Sequence, residues 1–424
     1  MKIDTTKEKF LHRYKIHPID GGVTAPTGFL ASGVCCGIKS QALDLALIFS
    51  ENDCVASGLF TSNIVKAAPV LVSQKHLSGG SARAIIANSG NANACTGADG
   101  MSDAMEVVKA VARVLKIEEE QVLIASTGVI GVRLPVDKVK AGIPEAARLL
   151  SRQGEKEASM AILTTDSFAK KYAVEIDIDG VPVRIGGMAK GSGMIHPNLA
   201  TMLAFITTDV NISKTALDLA LQLACRDSFN MITVDGDTST NDSVFVMASG
   251  AAGNEKIDLK NPDLGNSGAG LGPFDAFVQG LTLVARELSH MIVRDGEGAT
   301  KFVEIRVKSA PSESDARKIA RTVATSNLVK TAIFGADANW GRILAAAGRS
   351  GVTFDPDKVD IYLGAIKVAQ GGCGFPFSDG EAREVLEKKD ITITIDLNSG
   401  CAGAAAWTCD LSYDYVRINA SYRS

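Results

Sequence analysis

Residues 186–209 read GGMAKGSGMIHPNLATMLAFITTD. Gly186, Gly187, Gly191 and Gly193 crowd around Lys190, a loop-forming His196-Pro197-Asn198 follows, and an apolar, strand-like run begins after Thr201. A phosphate-binding loop needs G-x-x-x-x-G-K-[ST], and here the lysine precedes its glycine, so that reading fails. The glycines instead mark backbone able to approach a ligand or another strand closely. A threonine opening a strand is ordinarily structural. One chemistry does want it there: a threonine that becomes an N-terminus carries a nucleophilic hydroxyl and, in its own α-amine, the base that activates it. That amine titrates near pH 8 unperturbed, close to neutral. To expose it, the Thr201 hydroxyl must attack the Ala200 carbonyl, shift the acyl group from N to O, and let water cleave the ester. Small Ala200 leaves room for the tetrahedral intermediate, and strain in the Gly-rich segment would help.

The surrounding chain is an ordinary globular one. Of 424 residues 46% are hydrophobic, and 44 basic against 48 acidic residues give a net charge of -4. A mildly acidic chain with six Tyr and two Trp lacks the basic face of a nucleic-acid binder. No apolar run approaches the roughly 18 residues of a membrane span. The first 20 residues hold three acids, one arginine and no apolar core, so neither a secretory signal nor a transit peptide is read there; the expected address is the cytoplasm. Eight cysteines form no C-x-x-C pair, and five histidines show no zinc spacing, so free thiols and no metal are expected. No G-x-S-x-G elbow supports a serine triad.

Alternation at Val174, Ile176 and Ile178, then Asp179-Gly180, then Val181, Val183 and Ile185 predicts a tight hairpin, with Pro182 placing its strand at an edge or bulge. Ile391, Ile393 and Ile395 predict another strand, and Val416, Ile418 and Ala420 a strand at the C-terminus. Helices are expected from Ser102 with a Val107, Val111, Val114 and Leu115 stripe, from Ser213 to Asp227 (apolar nearly all round, hence buried), and from Ser312 to Ser326. Residues 252–275 read as a surface loop. Recurring strands and helices give an α/β or α+β class.

The blocks GGVTAPTGFLASG (21–33), GLFTSNIVKAAPV (58–70), ANSGNANACTG (87–97), STGVIG (126–131), Ala200-Thr201-Met202-Leu203, TVDGDTSTND (233–242), DGEGATK (295–301), FGADANWGRI (334–343) and YVRINASYRS (415–424) resemble the ornithine acetyltransferases. These are the bifunctional glutamate N-acetyltransferases/amino-acid acetyltransferases of arginine biosynthesis. The resemblance spans nearly the whole chain. It implies a two-β-layer α/β sandwich of the self-cleaving N-terminal-nucleophile kind, with a C-terminal α/β subdomain from about residue 300. It implies self-cleavage between Ala200 and Thr201 into an α chain, 1–200, and a β chain, 201–424, that share the catalytic fold and pair as a heterotetramer of two αβ units. The implied reaction is a double displacement: Thr201 takes acetyl from N-acetylornithine and glutamate accepts it. No cofactor is implied; acetyl-CoA is a donor substrate in bifunctional members.

The resemblance also assigns residues. Thr127 and Gly128 match the oxyanion-hole pair, although S-T-G alone reads as a turn. Thr164, Lys190, Glu297, Asn419 and Ser424 match substrate-binding positions. A lysine and a glutamate in one cleft suit substrates bearing carboxylates and an ammonium. Asp295 is expected to be the solvated neighbour of Glu297. Family tails often end in two threonines, whereas this one ends Tyr422-Arg423-Ser424, a departure at Arg423. Asn88, Asn91 and Asn93 are expected to shape turns, and Cys95 to be buried. The alternatives are an aminopeptidase or amidase of the same nucleophile class, and an unprocessed relative that only binds an amino acid.

Overall fold

A computed structural model describes residues 11–421 apart from 12–13, 197–201 and 260–271. The first sheet holds nine strands: β1 Ile16–Ile19, β2 Phe29–Val34, β3 Leu45–Phe60, β4 Ser81–Asn91, β5 Val122–Val129, β6 Lys170–Ile178, β7 Val181–Lys190, β8 Leu203–Thr208 and β9 Ser243–Ala248. Its order is β1-β6-β7-β8-β9-β3-β4-β5, with β2 also on β3. Strand β3 is 16 residues long and serves both halves: Leu45–Phe49 pair with β2 and β4, and Val55–Phe60 with β9. The register slips between Phe49 and Cys54, where the strand passes from one half to the other.

The path therefore folds into two facing layers. Ala46, Ile48, Ile85, Ala87, Leu123 and Ala125 of one layer share a core with Met188, Leu203, Phe205, Phe245 and Met247 of the other. Phe205 and Phe245 face each other in the parallel β8–β9 register, ring centroids 5.8 Å apart. The intervening residues Ala204, Ile206, Val244 and Val246 point outward, where helices Lys214–Arg226 and Pro273–Arg294 cover them. Helices Gly97–Leu115 and Val136–Arg148 cover the opposite layer. Period-2 alternation on both sheets thus builds an α-β-β-α sandwich.

The second sheet, β13-β12-β11-β14-β10-β15, comprises β10 Phe302–Ala310, β11 Asp360–Leu363, β12 Ile366–Gln370, β13 Cys373–Gly374, β14 Asp390–Asp396 and β15 Ala402–Cys409. Ile391, Ile393 and Ile395 are its buried positions on β14. Helix Glu313–Ala324 packs on β10 and β15, capped by Ser312, whose hydroxyl accepts from Asp315 N.

Local signals held in part. The Asp179-Gly180 hairpin forms with both residues at positive φ, +51° and +85°. Its strand β7 lies inside the sheet, not at an edge; Pro182 pairs with Asp177 of β6, and it is tolerated because β8 pairs only with Ile185–Lys190, leaving no described strand on its other side. The helix expected from Ser102 begins at Gly97, five residues earlier. Asn93 bonds Gly100 O and Thr96 Oγ1 bonds Asn93, ordering that earlier turn. On the same helix Val114 is exposed. Helix Lys214–Arg226 is one-sided, not buried all round: Thr215, Gln222 and Arg226 face solvent. The 252–275 loop ends at Gly272, since Pro273 starts a helix; 260–271 lie outside the described residues.

The expected C-terminal strand is a helix, Tyr413–Ser421. Val416 is exposed, whereas Tyr415 and Ile418, three apart, are half-buried: the spacing is helical, and three alternating residues were too few to tell. Cys95 is exposed, not buried, in a left-handed turn at φ +58° that ends the NSGNANAC segment on the surface. All eight cysteines are unpaired, and no described helix is long and apolar enough to cross a membrane.

Candidate active site

Where the strands of the two layers end, Thr127, Gly128, Thr164, Lys190, Glu297 and Asn419 line one pocket. Ala200, Thr201 and Ser424 lie outside the described residues. Thr127 and Gly128 belong to the last turns of pleat on β5. Gly128 takes φ +133°, and a Cβ there would stand 2.3 Å from the Gly90 carbonyl carbon, so no other residue fits without parting β4 from β5. The register is irregular at this point, with Asn91 opposite both Thr127 and Val129. Asn88 and Asn91 brace the same turn: Asn88 accepts from Ser126 Oγ at 2.6 Å, and Asn91 donates to Val132 O at 3.0 Å. Asn93 sits at φ +47°.

Lys190 ends β7 and is 4% exposed. Its ammonium donates to Thr164 Oγ1 at 2.8 Å and Thr127 Oγ1 at 3.3 Å, and lies 3.7 Å from Asp166 Oδ2. Because Thr127 Oγ1 accepts from a cation, its own hydroxyl hydrogen is free and polarised for donation. The Asp166 side chain has no exposed surface. Burial alone would raise its pKa, but Lys190, Lys170 and the Gly191 N–H, 2.6 Å away, outweigh that and hold the carboxyl well below the usual range.

Sequence reasoning missed this network. Lys170 has no exposed side-chain surface and bonds Asp166 Oδ1 at 2.7 Å and Asp295 Oδ2 at 2.5 Å. Asp295, expected to be solvated, is buried because a desolvated lysine requires its charge; Ser167 N and Oγ bond it as well. The only local hint was the i,i+4 spacing of Asp166 and Lys170, which is not a contact pattern outside a helix.

Glu297 faces the pocket from the turn after helix Pro273–Arg294 and is 8% exposed. Its N–H bonds Ser192 O at 3.0 Å, tying it to the chain after Lys190. Asn419 Nδ2 donates to Glu297 Oε2 at 2.7 Å. The carboxylate lies on bare Gly193, whose Cβ would be 2.4 Å from Oε2. Asp410 fixes the approach of the last helix by accepting from Thr300 N at 2.8 Å and Lys301 N at 3.0 Å, and Ser412 Oγ bonds Gly298 O at 2.6 Å. The helix, rather than a strand, therefore brings Asn419 to the site. Among the described residues no group of three or more His, Cys, Asp or Glu could hold a metal ion.

The pocket thus presents a cation flanked by hydroxyls on one wall and a carboxylate on the other. That polarity suits a small molecule bearing both carboxylate and ammonium, beside a hydroxyl and a tight glycine turn able to serve a developing oxyanion.

The sequence profile of the ArgJ family matches residues 30–424. The chain is similar to the arginine biosynthesis bifunctional protein ArgJ of Symbiobacterium thermophilum, 52% identical over 407 residues, 95% of this chain and 99% of that protein. It is also similar to that of Caldanaerobacter subterraneus subsp. tengcongensis, 51% identical over 410 residues, 96% of this chain and 99% of that protein. Among solved structures, the ornithine acetyltransferase of Mycobacterium tuberculosis complexed with ornithine is 45% identical, covering 44% of this chain and 100% of that chain with a TM-score of 0.41.

Proposed function

The chain belongs to the ArgJ family, and we propose from that premise that it is a self-processing acetyltransferase of arginine biosynthesis, moving acetyl from N-acetylornithine to glutamate through acetyl-Thr201. The observation that carries the reading is the convergence on one pocket of Thr127, Gly128, Thr164, Lys190, Glu297 and Asn419, residues far apart in the chain.

Processing comes first. The Thr201 hydroxyl adds to the Ala200 carbonyl, the C–N bond breaks, and the hydroxyl proton passes to the departing amine. Water then hydrolyses the ester, leaving an Ala200 carboxylate and a free Thr201. In turnover Thr201 Oγ attacks the acetyl carbonyl while the α-amine takes its proton. The Lys190 ammonium disfavours a second cation beside it, keeping that amine a free base. The tetrahedral oxyanion receives the Thr127 hydroxyl and the Gly128 N–H. Collapse releases ornithine, whose nitrogen regains the proton. The glutamate amine then attacks the ester along the reverse course and restores Thr201.

Lys190 suits the α-carboxylate and Glu297 the free ammonium of N-acetylornithine. Ser424 is a further substrate-binding position that the resemblance implies. The α chain, 1–200, and β chain, 201–424, would assemble as two αβ units. The C-terminal sheet from Phe302 would belong to the β chain, and a cytoplasmic address fits the substrates. Acetyl-CoA would serve as a second donor.

The test is intact mass and N-terminal sequencing beside Thr201→Ala, followed by a transfer assay. Two chains, the second beginning Thr-Met-Leu, and acetyl-enzyme discharged by glutamate are expected. A folded wild-type chain that stays whole, or acetyl-enzyme that water discharges regardless of glutamate, refutes the proposal.

A further inference from the structure

Two buried carboxylates near the pocket have no part in the transfer chemistry, and both come from one loop, residues 233–242. Asp235 Oδ2 accepts from Met194 N at 2.5 Å, and its Oδ1 from Ile195 N at 3.0 Å. The Ile195 carbonyl in turn accepts from Val234 N at 2.9 Å and Thr233 Oγ1 at 3.0 Å. Met194 is held at φ +57°, a conformation that non-glycine residues keep only where their surroundings enforce it. At the other end of the loop, Asp242 Oδ1 accepts from Met202 N at 3.0 Å, while Ser243 N donates to Met202 O at 3.2 Å. Asp242 Oδ2 is buried without a partner among the described residues.

The loop itself is braced. Thr233 N bonds Trp407 O at 3.0 Å on the C-terminal sheet. Asn241 Nδ2 bonds Ala92 O at 2.6 Å and Ser126 O at 2.8 Å, beside Thr127. The separation of the two anchored flanks, Met194–Ile195 and Met202, is therefore set by the scaffold, and the Ala200–Thr201 bond lies between them.

We propose that the 233–242 loop is a processing clamp. Asp235 holds the upstream flank of the Ala200–Thr201 bond, and Asp242 holds the downstream flank as the positioning residue for Thr201. Fixing both flanks removes the chain freedom that hydroxyl attack on the preceding carbonyl must otherwise overcome. Burial pushes both carboxyls above the usual carboxylate range. The inference rests on the self-cleavage proposed above.

The test follows cleavage of the full chain during cell-free synthesis by intact mass, for wild type, Asp235→Ala, Asp242→Leu and Asp242→Asn. Asp235→Ala and Asp242→Leu are expected to cut at least about tenfold more slowly, the loss of one charge-assisted hydrogen bond. Asp242→Asn keeps an acceptor for Met202 N and recovers most of the rate. Asp242→Leu cutting as fast as Asp242→Asn would make Asp242 a packing residue and overturn the clamp, as would wild-type rates in both slow variants. Should the variants not fold, hydrogen exchange on the uncut Thr201→Ala chain decides. The Met194, Ile195 and Met202 amides are expected to be protected, and exchange at the rate of an open loop overturns the inference. A folded wild-type chain that never cuts removes the self-cleavage reading and the clamp together; a cut wild type with insensitive variants removes the clamp alone.

Discussion

Gly128→Ala is the substitution whose outcome the geometry fixes most tightly. The new Cβ would stand 2.3 Å from the Gly90 carbonyl carbon and 2.5 Å from Asn91 N, where ordinary contact begins at 3.4 Å. The deficit is about 1 Å, and both obstructing atoms are backbone, so β4 and β5 must part by roughly that distance. A ladder hydrogen bond lengthened by about 1 Å is lost, costing about 0.5–1.5 kcal/mol. The positive φ of +133° adds strain of about 1–3 kcal/mol. The sum, about 1.5–4.5 kcal/mol, is smaller than a typical stability of about 5–15 kcal/mol, so the enzyme still folds. The site fares worse, because Thr127 Oγ1 and the Gly128 N–H move together, and loss of one oxyanion donor costs about 10²–10³ in kcat. Gly131→Ala is the control: φ is +78° but no atom lies within 4 Å of the new Cβ, so it bears strain without collision. Thermal unfolding and steady-state transfer from N-acetylornithine to glutamate are measured on both. Gly128→Ala should melt several degrees below Gly131→Ala and lose kcat, while Gly131→Ala keeps it. Equal melting temperatures, with kcat of Gly128→Ala within about threefold of wild type, would refute both the close approach and the oxyanion role.

Asp166→Asn leaves Lys170 and Lys190 short of a buried counter-charge and should destabilise by about 3–5 kcal/mol at pH 7, measured by denaturant unfolding. The wild-type carboxyl is held below its unfolded value. Its stabilisation is therefore present above the ordinary carboxylate pKa near ~4 and fades as pH falls below it, so the gap to Asp166→Asn should narrow in that window. Gly193→Ala should push the Glu297 carboxylate off its seat, raising KM for N-acetylornithine by about tenfold with little change in melting temperature, because the obstructing atom is a movable side-chain end. Lys190→Met should lower kcat/KM by about 10²-fold or more, and Lys190→Arg should not restore it, since a planar guanidinium cannot occupy the position of the buried point charge between Thr127 and Thr164.

Features governed by neighbours along the chain were legible in the sequence. The Asp179-Gly180 turn, the helix starts at Ser213 and Ser312 and the β14 alternation each depend on residues within a few positions. Features governed by distant partners were not. Asp295 looked solvated because its counter-charge, Lys170, is 125 positions away. Gly128 looked like a turn because the backbone it touches, Gly90, lies on another strand. The last helix looked like a strand because its orienting bonds run to Gly298 and Glu297. The site residues were reachable only through the resemblance of whole blocks, which carries three-dimensional constraint that one window does not.

The position of the proposed cut explains how a broken chain can hold this site. The bond after Ala200 lies between β7 and β8, and β8 pairs with β7 on one side and β9 on the other. Across the sheet the strands then run β7, β8, β9, β3, so the two segments interleave: β8 and β9 come from after the cut, β7 and β3 from before it. Separating the halves would break the β7–β8 and β3–β9 ladders and open the core that Phe205 and Phe245 share with Ile48 and Ile85. The proposed cleavage would therefore remove one covalent link and leave the burial intact. The Thr201 amine can be created without loosening Lys190, the last residue of β7, from the hydroxyls it orients.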